Sequence, residues 1–421
     1  MFGGTCNNMY VFAKILADYD YKLTFIEDRG EKFPHGQPVW DDVEACFTSG
    51  FDQESINWLE FEAQYGWQPQ DWYFRPTPHK NGAREIFKAS PAPLFIKLLA
   101  CRYLGSSKLA LSIFNKMREC DFLIVCGVKA AILAMLSAKP YMIFPHGSDM
   151  RVAIGAEQKG RGIKGWLFGW LVSRSFKAAS FIGSSLPDGS AEVEKSQYRR
   201  CQDLRVERVA LPYLSKPRLE ASVRREKLKI LFQEMGLELQ SAHFYSFTPS
   251  RINFHWKGHD RLLRAIEKNR QQLNIHFIFL GWGDDYKEAS EYVAAQGLQS
   301  MVTVLPVFLS KKFLFRFFES VDFIIDELNG SGSYGTSLSE AMSVGCPVVT
   351  WISDMFDRPG WERPPVIYAR TEEELGQTML NISSEAVDLT HQSGLVAEWF
   401  ARVHAADAVL KALDERIAEF V

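Results

Sequence analysis

Strand-length runs of β-branched and aromatic residues alternate with helix-length stretches along most of this chain, and that alternation admits few folds. The runs fall at 22–26, 121–126, 141–144, 180–183 and 205–209, then at 243–247, 275–280, 302–305, 322–325 and 348–350. Helical patterns lie between them, as over 129–138, 259–268 and 311–319. Strands joined through helices pair in parallel, so the order predicts an α/β protein built on parallel sheets. A chain of 421 residues exceeds one ordinary core, which predicts two domains. The proline-containing stretch Leu211–Pro217 reads as the linker. The reading is an N-terminal Rossmann-like domain over 1–212, a second over 213–396, and one amphipathic helix over 397–421. The chain opens loop, helix, strand, so the first strand of the first unit is expected to be missing.

Composition removes several function classes. Lys+Arg 48 against Asp+Glu 51 leaves a net charge of −3, which argues against a nucleic-acid binder. The 7 cysteines are scattered without CxxC spacing, so neither a zinc site nor a disulfide framework is indicated and a reducing, cytoplasmic setting fits. No apolar run approaches the ~18 residues of a membrane span. The stretch 31–88, rich in Trp, Pro and Asp, reads as a long decorated loop and a candidate acceptor-binding surface.

In parallel sheets ligands bind beyond the carboxyl ends of the strands. Five loops there carry glycines and charges: Gly3 and Gly4, His146–Arg151, Arg251–Lys257, Gly281–Asp285 and Asp326–Ser337. Together they predict one cleft between the domains. The stretch Gly332–Thr350, GSYGTSLSEAMSVGCPVVT, is the most specific of these signals. Gly332 and Gly335 bracket a turn, Thr336 or Ser337 is placed to cap a helix, Gly345 closes it, and Val348–Thr350 is a buried strand. Such a helix start offers unpaired N–H groups to an anion. Glu340, one turn in, is placed to reach hydroxyls on whatever carries that anion. Arg251 and Lys257 supply cations of the kind that neutralise a departing diphosphate.

At these residues the chain resembles retaining, nucleotide-sugar-dependent glycosyltransferases of family four, with the GT-B fold. The likeness rests on Gly3-Gly4 with Asn7-Asn8, Pro145-His146-Gly147-Ser148-Asp149, Arg251 with Lys257, and Gly332-Ser333-Tyr334-Gly335 through Glu340 to Gly345-Cys346-Pro347-Val348-Val349. Pro364–Ile367 followed by Glu372–Leu375 is similar to one branch of that family.

The resemblance implies two Rossmann-like domains facing each other, with a C-terminal helix crossing back to the first. It implies donor-diphosphate binding by Arg251, Lys257 and the backbone of Gly335–Ser337, with Tyr334 in the same turn. Glu340 would hold the ribose. Gly3 and Gly4 would lie under the phosphates, and His146, with Asp149 beside it, would approach the reacting sugar. Pro306, Val307 and Phe308 would border the nucleobase, and Gly281 would be among the donor-binding residues. The implied reaction is metal-independent front-face transfer, without a cofactor, to a glycan or polyprenyl-linked acceptor in cell-surface polysaccharide synthesis.

The chain departs from the family at Gly332, where a donor-sugar glutamate is usual, so Asp326 or Glu327 is the candidate replacement. The spacing from Arg251 to Lys257 is one residue longer than is usual. Asp18-Tyr19-Asp20 invites a metal reading but reads as a solvated turn, and Asp284-Asp285 reads as a helix start. Lys159–Lys177 interleaves basic and aromatic residues. It fits either an anionic membrane surface or a helix packed on the sheet. Two alternatives to the transferase stay open: a GT-B scaffold subunit without activity, and a sugar-nucleotide epimerase or phosphorylase of the same fold.

Overall fold

The computed structural model describes residues 1–2, 8–27, 36–48, 56–145, 152, 162–184, 205–329, 334–357 and 360–421. They divide into two compact units, one of 1–38, 68–212 and 406–421, the other of 39–67 and 213–405.

The first unit holds the strands Phe25–Ile26 (β1), Tyr73–Phe74 (β2), Leu123–Val125 (β3), Tyr141–Ile143 (β4), Phe181–Ser184 (β5) and Val206–Arg208 (β6). β3 to β6 form a parallel sheet in that order, and β1 pairs in parallel with β2. Phe2 joins the two groups through parallel bridges to Ile26 and Val125. A one-residue strand therefore stands where the sequence led us to expect none. Its backbone donates to Ile124 O at 3.0 Å and accepts from Cys126 N at 2.9 Å. The core beneath is apolar, because strands covered on both faces bury every side chain: β3 and β4 are LIV and YMI, all buried.

The second unit holds Phe244–Thr248 (β7), Ile275–Leu280 (β8), Val302–Leu305 (β9), Phe323–Ile325 (β10), Val348–Thr350 (β11) and Ile367–Tyr368 (β12). They form one parallel sheet in the order β9-β8-β7-β10-β11-β12. The order reverses beside β7, so the loops after β7 and β10 open at a switch point, the usual place for a ligand in such sheets.

Two expectations change. The stretch read as a structureless loop contains the helices Pro38–Asp42, Trp58–Gln64 and Gly82–Ala89, and its middle belongs to the second unit. There Cys46–Thr48 pairs antiparallel with Val307–Leu309. Aromatic burial drives this: Trp40 stacks on Phe308 and on Phe47, each at 5.2 Å between ring centres. The final helix is two helices, Leu389–Val403 and Ala406–Ile417, divided between the units. The break lies at His404, buried against Trp399 and Phe400, and at Ala405, which bridges to Tyr213. Within the first unit Ala406–Ile417 is tied by Tyr19 Oη donating to Asp407 at 2.5 Å and Tyr21 Oη to Asp414 at 2.6 Å. Asp18–Asp20 is thus the exposed end of the helix Asn8–Asp18, as the turn reading required.

Candidate active site

Three loops at the carboxyl ends of β7, β8 and β10 are laced together in the second unit. After β7, Asn253 caps the short helix Phe254–Lys257, its side chain accepting from Trp256 N at 2.7 Å. Gly258 then takes φ +75°, a conformation suited to glycine, and the next helix, His259–Asn269, begins. The loop after β8 locks against the first. Ile252 N donates to Trp282 O at 2.6 Å, and a side chain at Gly281 would meet Leu305 O at 2.0 Å. Asp284 and Asp285 stand at the start of Tyr286–Ala295; Asp285 is its N-cap, yet its side chain makes no capping hydrogen bond there. Their carboxylates accept from Asn253 Nδ2 at 2.9 Å and Phe254 N at 2.6 Å, fixing the loop that carries Arg251 and Lys257. After β10, Leu328 N donates to Lys257 O at 3.1 Å, closing the third side.

These loops bring opposite charges together. Lys257 forms an ion pair with Glu327, both about four-fifths buried. Burial opposes the ammonium charge, but Asp326 and Glu327 outweigh it and hold the lysine above its ordinary range. Burial and the adjacent Asp326 push the Glu327 carboxyl up, against the pull of Lys257. Glu327 takes φ +56°, which is uncommon for a residue with a side chain. That backbone turn sends the chain past Lys257. Asp326 accepts from Ser250 Oγ at 2.5 Å and from Glu327 N at 2.8 Å. His259 lies buried 3.4 Å from the same hydroxyl, and burial lowers its pKa. Arg251 is exposed and makes no ion pair among the described residues, though its charge acts on Lys257 and Glu327.

The helix Thr336–Ser343 opens beside this cluster. Its N-cap is Gly335, with no side-chain cap, rather than Thr336 or Ser337, which fall at the first and second helical positions. A Cβ on Gly335 would stand 2.9 Å from Glu327 Oε1, so the glycine lets that carboxylate approach the helix start. The helix ends with Gly345 at φ +67°, as its sequence required. Glu340 is 3% exposed; its Oε1 pairs with Lys311 Nζ at 2.5 Å, and its Oε2 has no partner among the described residues. Burial raises its pKa, and Lys311 opposes that.

The structure therefore gathers Arg251, Lys257, Asp326, Glu327 and Gly335–Ser337, with Glu340 one turn further on. Tyr334 is separate: its ring is buried against Phe356 and Trp399, and its hydroxyl lies 3.1 Å from His404 Nε2. Gly281 and Pro306 end β8 and β9, while Val307 and Phe308 pair with the 46–48 strand. Trp282 packs edge-on against Phe308 at 4.9 Å. Gly3, Gly4, His146, Asp149 and Gly332 lie outside the described residues. Sequence reasoning missed Lys311, Ser250, His259 and the 39–67 arm. Lys311 left one signal, a cation at a helix start; the arm left only its density of tryptophan.

Residues 245–383 match the family described as glycosyl transferases group 1. No curated protein matches the sequence. Among solved structures the chain is similar to HepE from Anabaena in complex with UDP and glucose, at 14% identity and TM-score 0.61, over 99% of this chain and 98% of that one. It is similar to sucrose-phosphate synthase from Thermosynechococcus elongatus, at 10% identity and TM-score 0.60, over 99% and 93%. It is also similar to the lipopolysaccharide outer core galactosyltransferase WaaB, at 11% identity and TM-score 0.53, over 100% and 98%.

Proposed function

Because residues 245–383 are of the glycosyl transferases group 1 family in a chain with the GT-B fold, we propose that the protein is a retaining glycosyltransferase using a nucleoside-diphosphate sugar. The observation that carries the proposal is the Lys257–Glu327 pair lying against the uncapped start of Thr336–Ser343, with Glu340 one turn inside. Cations beside a helix N-terminus that no side chain caps fit a diphosphate. A buried carboxylate oxygen without a partner, one turn on, fits a ribose hydroxyl. The complexes of HepE with UDP, UDP-glucose, and UDP and glucose support a nucleotide-sugar donor.

On this reading the diphosphate displaces Glu327 from Lys257. The freed carboxylate, with Asp326 beside it, accepts hydrogen bonds from the sugar, the role left open at Gly332. The C–O bond between the anomeric carbon and the diphosphate breaks, and the acceptor oxygen attacks from the same face. The departing phosphate oxygen takes the acceptor's proton, so configuration is retained and no covalent enzyme intermediate forms. Arg251 and Lys257 stabilise the charge on the leaving diphosphate, and no metal is needed for that. His146, Asp149, Gly3 and Gly4 are assigned to the donor sugar and phosphates by resemblance alone.

The acceptor is proposed to be a glycan or polyprenyl-linked glycan of cell-surface polysaccharide synthesis, met on the cytoplasmic side of a membrane. No helix among the described residues is long and apolar enough to cross one. A surface contact is favoured by the helices Leu94–Leu104 and Gly162–Lys177 of the first unit. They pack through Phe95 on Trp170 and Tyr103 on Phe168, yet expose Leu94, Phe95, Leu98, Ile163 and Trp166. They carry Lys97, Arg102, Lys164, Arg174 and Lys177 and no acidic residue.

The test is a panel of nucleotide sugars with and without glycan or lipid-linked acceptors, in the presence of a strong chelator. Acceptor-dependent release of the nucleoside diphosphate, and a product with the donor's anomeric configuration, are expected. Isomerised donor indicates the epimerase alternative, no binding indicates a scaffold, and loss of activity on chelation overturns metal independence.

A further inference from the structure

Lys311 opens the helix Lys311–Ser320, where the helix dipole disfavours a cation, and no acidic residue stands in that first turn. Its ammonium instead reaches across to the helix Thr336–Ser343 and lies 2.5 Å from Glu340 Oε1. The side chains are 18% and 4% exposed. Ser310, just before it, is the N-cap, but its side chain makes no capping hydrogen bond. Its hydroxyl donates to Val43 O at 2.8 Å and accepts from Ala45 N at 2.9 Å, so the 39–67 arm fixes the backbone from which Lys311 extends. The outcome at Glu340 is asymmetric. Oε1 is engaged by the lysine, while Oε2 is buried with no hydrogen-bond partner among the described residues. A buried polar atom left unpaired is costly unless a ligand completes it. Among the described residues Lys311 is the one charge acting on Glu340.

We propose that Lys311 is a positioning residue for the nucleotide's ribose: it occupies Glu340 Oε1 and thereby aims Oε2, as an ionised acceptor, at the ribose diol. The inference rests on the reading of Glu340 as the ribose carboxylate and adds what makes that carboxylate competent. Without the lysine, a carboxyl this deeply buried has one oxygen too many to satisfy and turns toward whatever donor it finds. The ribose then loses a fixed acceptor, while the base and diphosphate contacts stay as they were.

The experiment measures binding of UDP, GDP and ADP, each beside its 2′,3′-dideoxy counterpart, to the full chain by calorimetry. For the nucleotide that binds tightest, the wild type is expected to prefer the ribose form by about tenfold or more, the scale of one charge-assisted hydrogen bond. Lys311→Met is expected to reduce that preference to within about twofold through loss of ribose-form affinity alone, and Lys311→Arg to keep it. The variant Lys311→Met with Glu340→Gln leaves no unpaired buried charge; it is expected to fold and to show the same lost preference. If the wild type binds none of the nucleotides, or binds ribose and dideoxy forms alike, the ribose site itself is overturned. If the wild type discriminates and Lys311→Met, shown to be folded by its thermal melt, keeps that discrimination, the role of Lys311 alone is overturned. Equal weakening of ribose and dideoxy forms also overturns it, since that is the signature of a merely structural lysine.

Discussion

The proposed donor site of the second unit and the two-helix face of the first treat charge in opposite ways. Around Thr336–Ser343 buried charges meet opposite ones, Lys257 with Glu327 and Lys311 with Glu340, while the buried Asp326 is held by Ser250 Oγ and Glu327 N. On Leu94–Leu104 and Gly162–Lys177 five cations share a surface with exposed Leu, Phe, Ile and Trp and no acidic residue. Buried ion pairs cost desolvation and are weak evidence of stability, so their concentration at strand ends points to chemistry. Exposed cations around apolar side chains cost little in water and fit an anionic, apolar surface. On the proposed function, one region holds a small charged ligand and the other lies on something large.

That contrast can be broken most sharply at Lys257. Lys257→Ala is expected to lower turnover by about 10²- to 10³-fold, the scale of losing a stabilising group at a developing charge, while vesicle binding is unchanged. Turnover within a few-fold of wild type would remove Lys257 from the chemistry. Next in size, Asp326→Asn with Glu327→Gln is expected to abolish transfer and to leave nucleoside-diphosphate affinity no weaker than in the wild type. Steady-state kinetics beside calorimetry checks this, and undiminished transfer would sink the replacement of the missing Gly332 carboxylate. For the other region, Trp166→Asp with Leu98→Asp is expected to reduce co-sedimentation with anionic vesicles by about tenfold or more. Nucleotide affinity should not change. Equal sedimentation with neutral and anionic vesicles would count against a charge-assisted surface.

A smaller effect separates the units by pH. His276, in β8, is buried with Nε2 2.8 Å from Thr303 Oγ1, and burial lowers its pKa to about 4. Burial lowers the pKa of His259 as well. The unfolded chain binds these protons near pH 6.5 and the folded one only at lower pH, so the second unit loses stability as pH falls from about 6.5 toward 4. The share of His276 is at most about 3 kcal/mol. Thermal melting of wild type and His276→Gln across that range reads it; parallel curves would show that the histidine is not the source.

The parallel sheets were legible because strands buried on both faces are continuous apolar runs, and IHFIFL and its neighbours appear with nearly the expected ends. Gly345 and Pro347 likewise marked the end of the helix Thr336–Ser343. The 39–67 arm was not legible, because its attachment depends on aromatic contacts between residues more than two hundred positions apart, Trp40 with Phe308. Thr336 and Ser337 had the chemistry of caps, but the chain enters the helix one residue earlier, at Gly335, which has no side chain to cap with. The partners of Lys257 and Glu340 were hidden for a related reason. An ion pair is set by which loop crosses which, and one residue in a left-handed turn, Glu327, decides the first of them.

The central claim is that this helix start, with Lys257, is a diphosphate cradle. The most direct test is calorimetric titration of nucleoside diphosphate and nucleoside monophosphate into the wild type and Lys257→Ala. The diphosphate is expected to bind the wild type at least about tenfold more tightly, and most of this difference to disappear in the variant. Equal affinity for the two in the wild type, or a preference undiminished in Lys257→Ala, would contradict the claim.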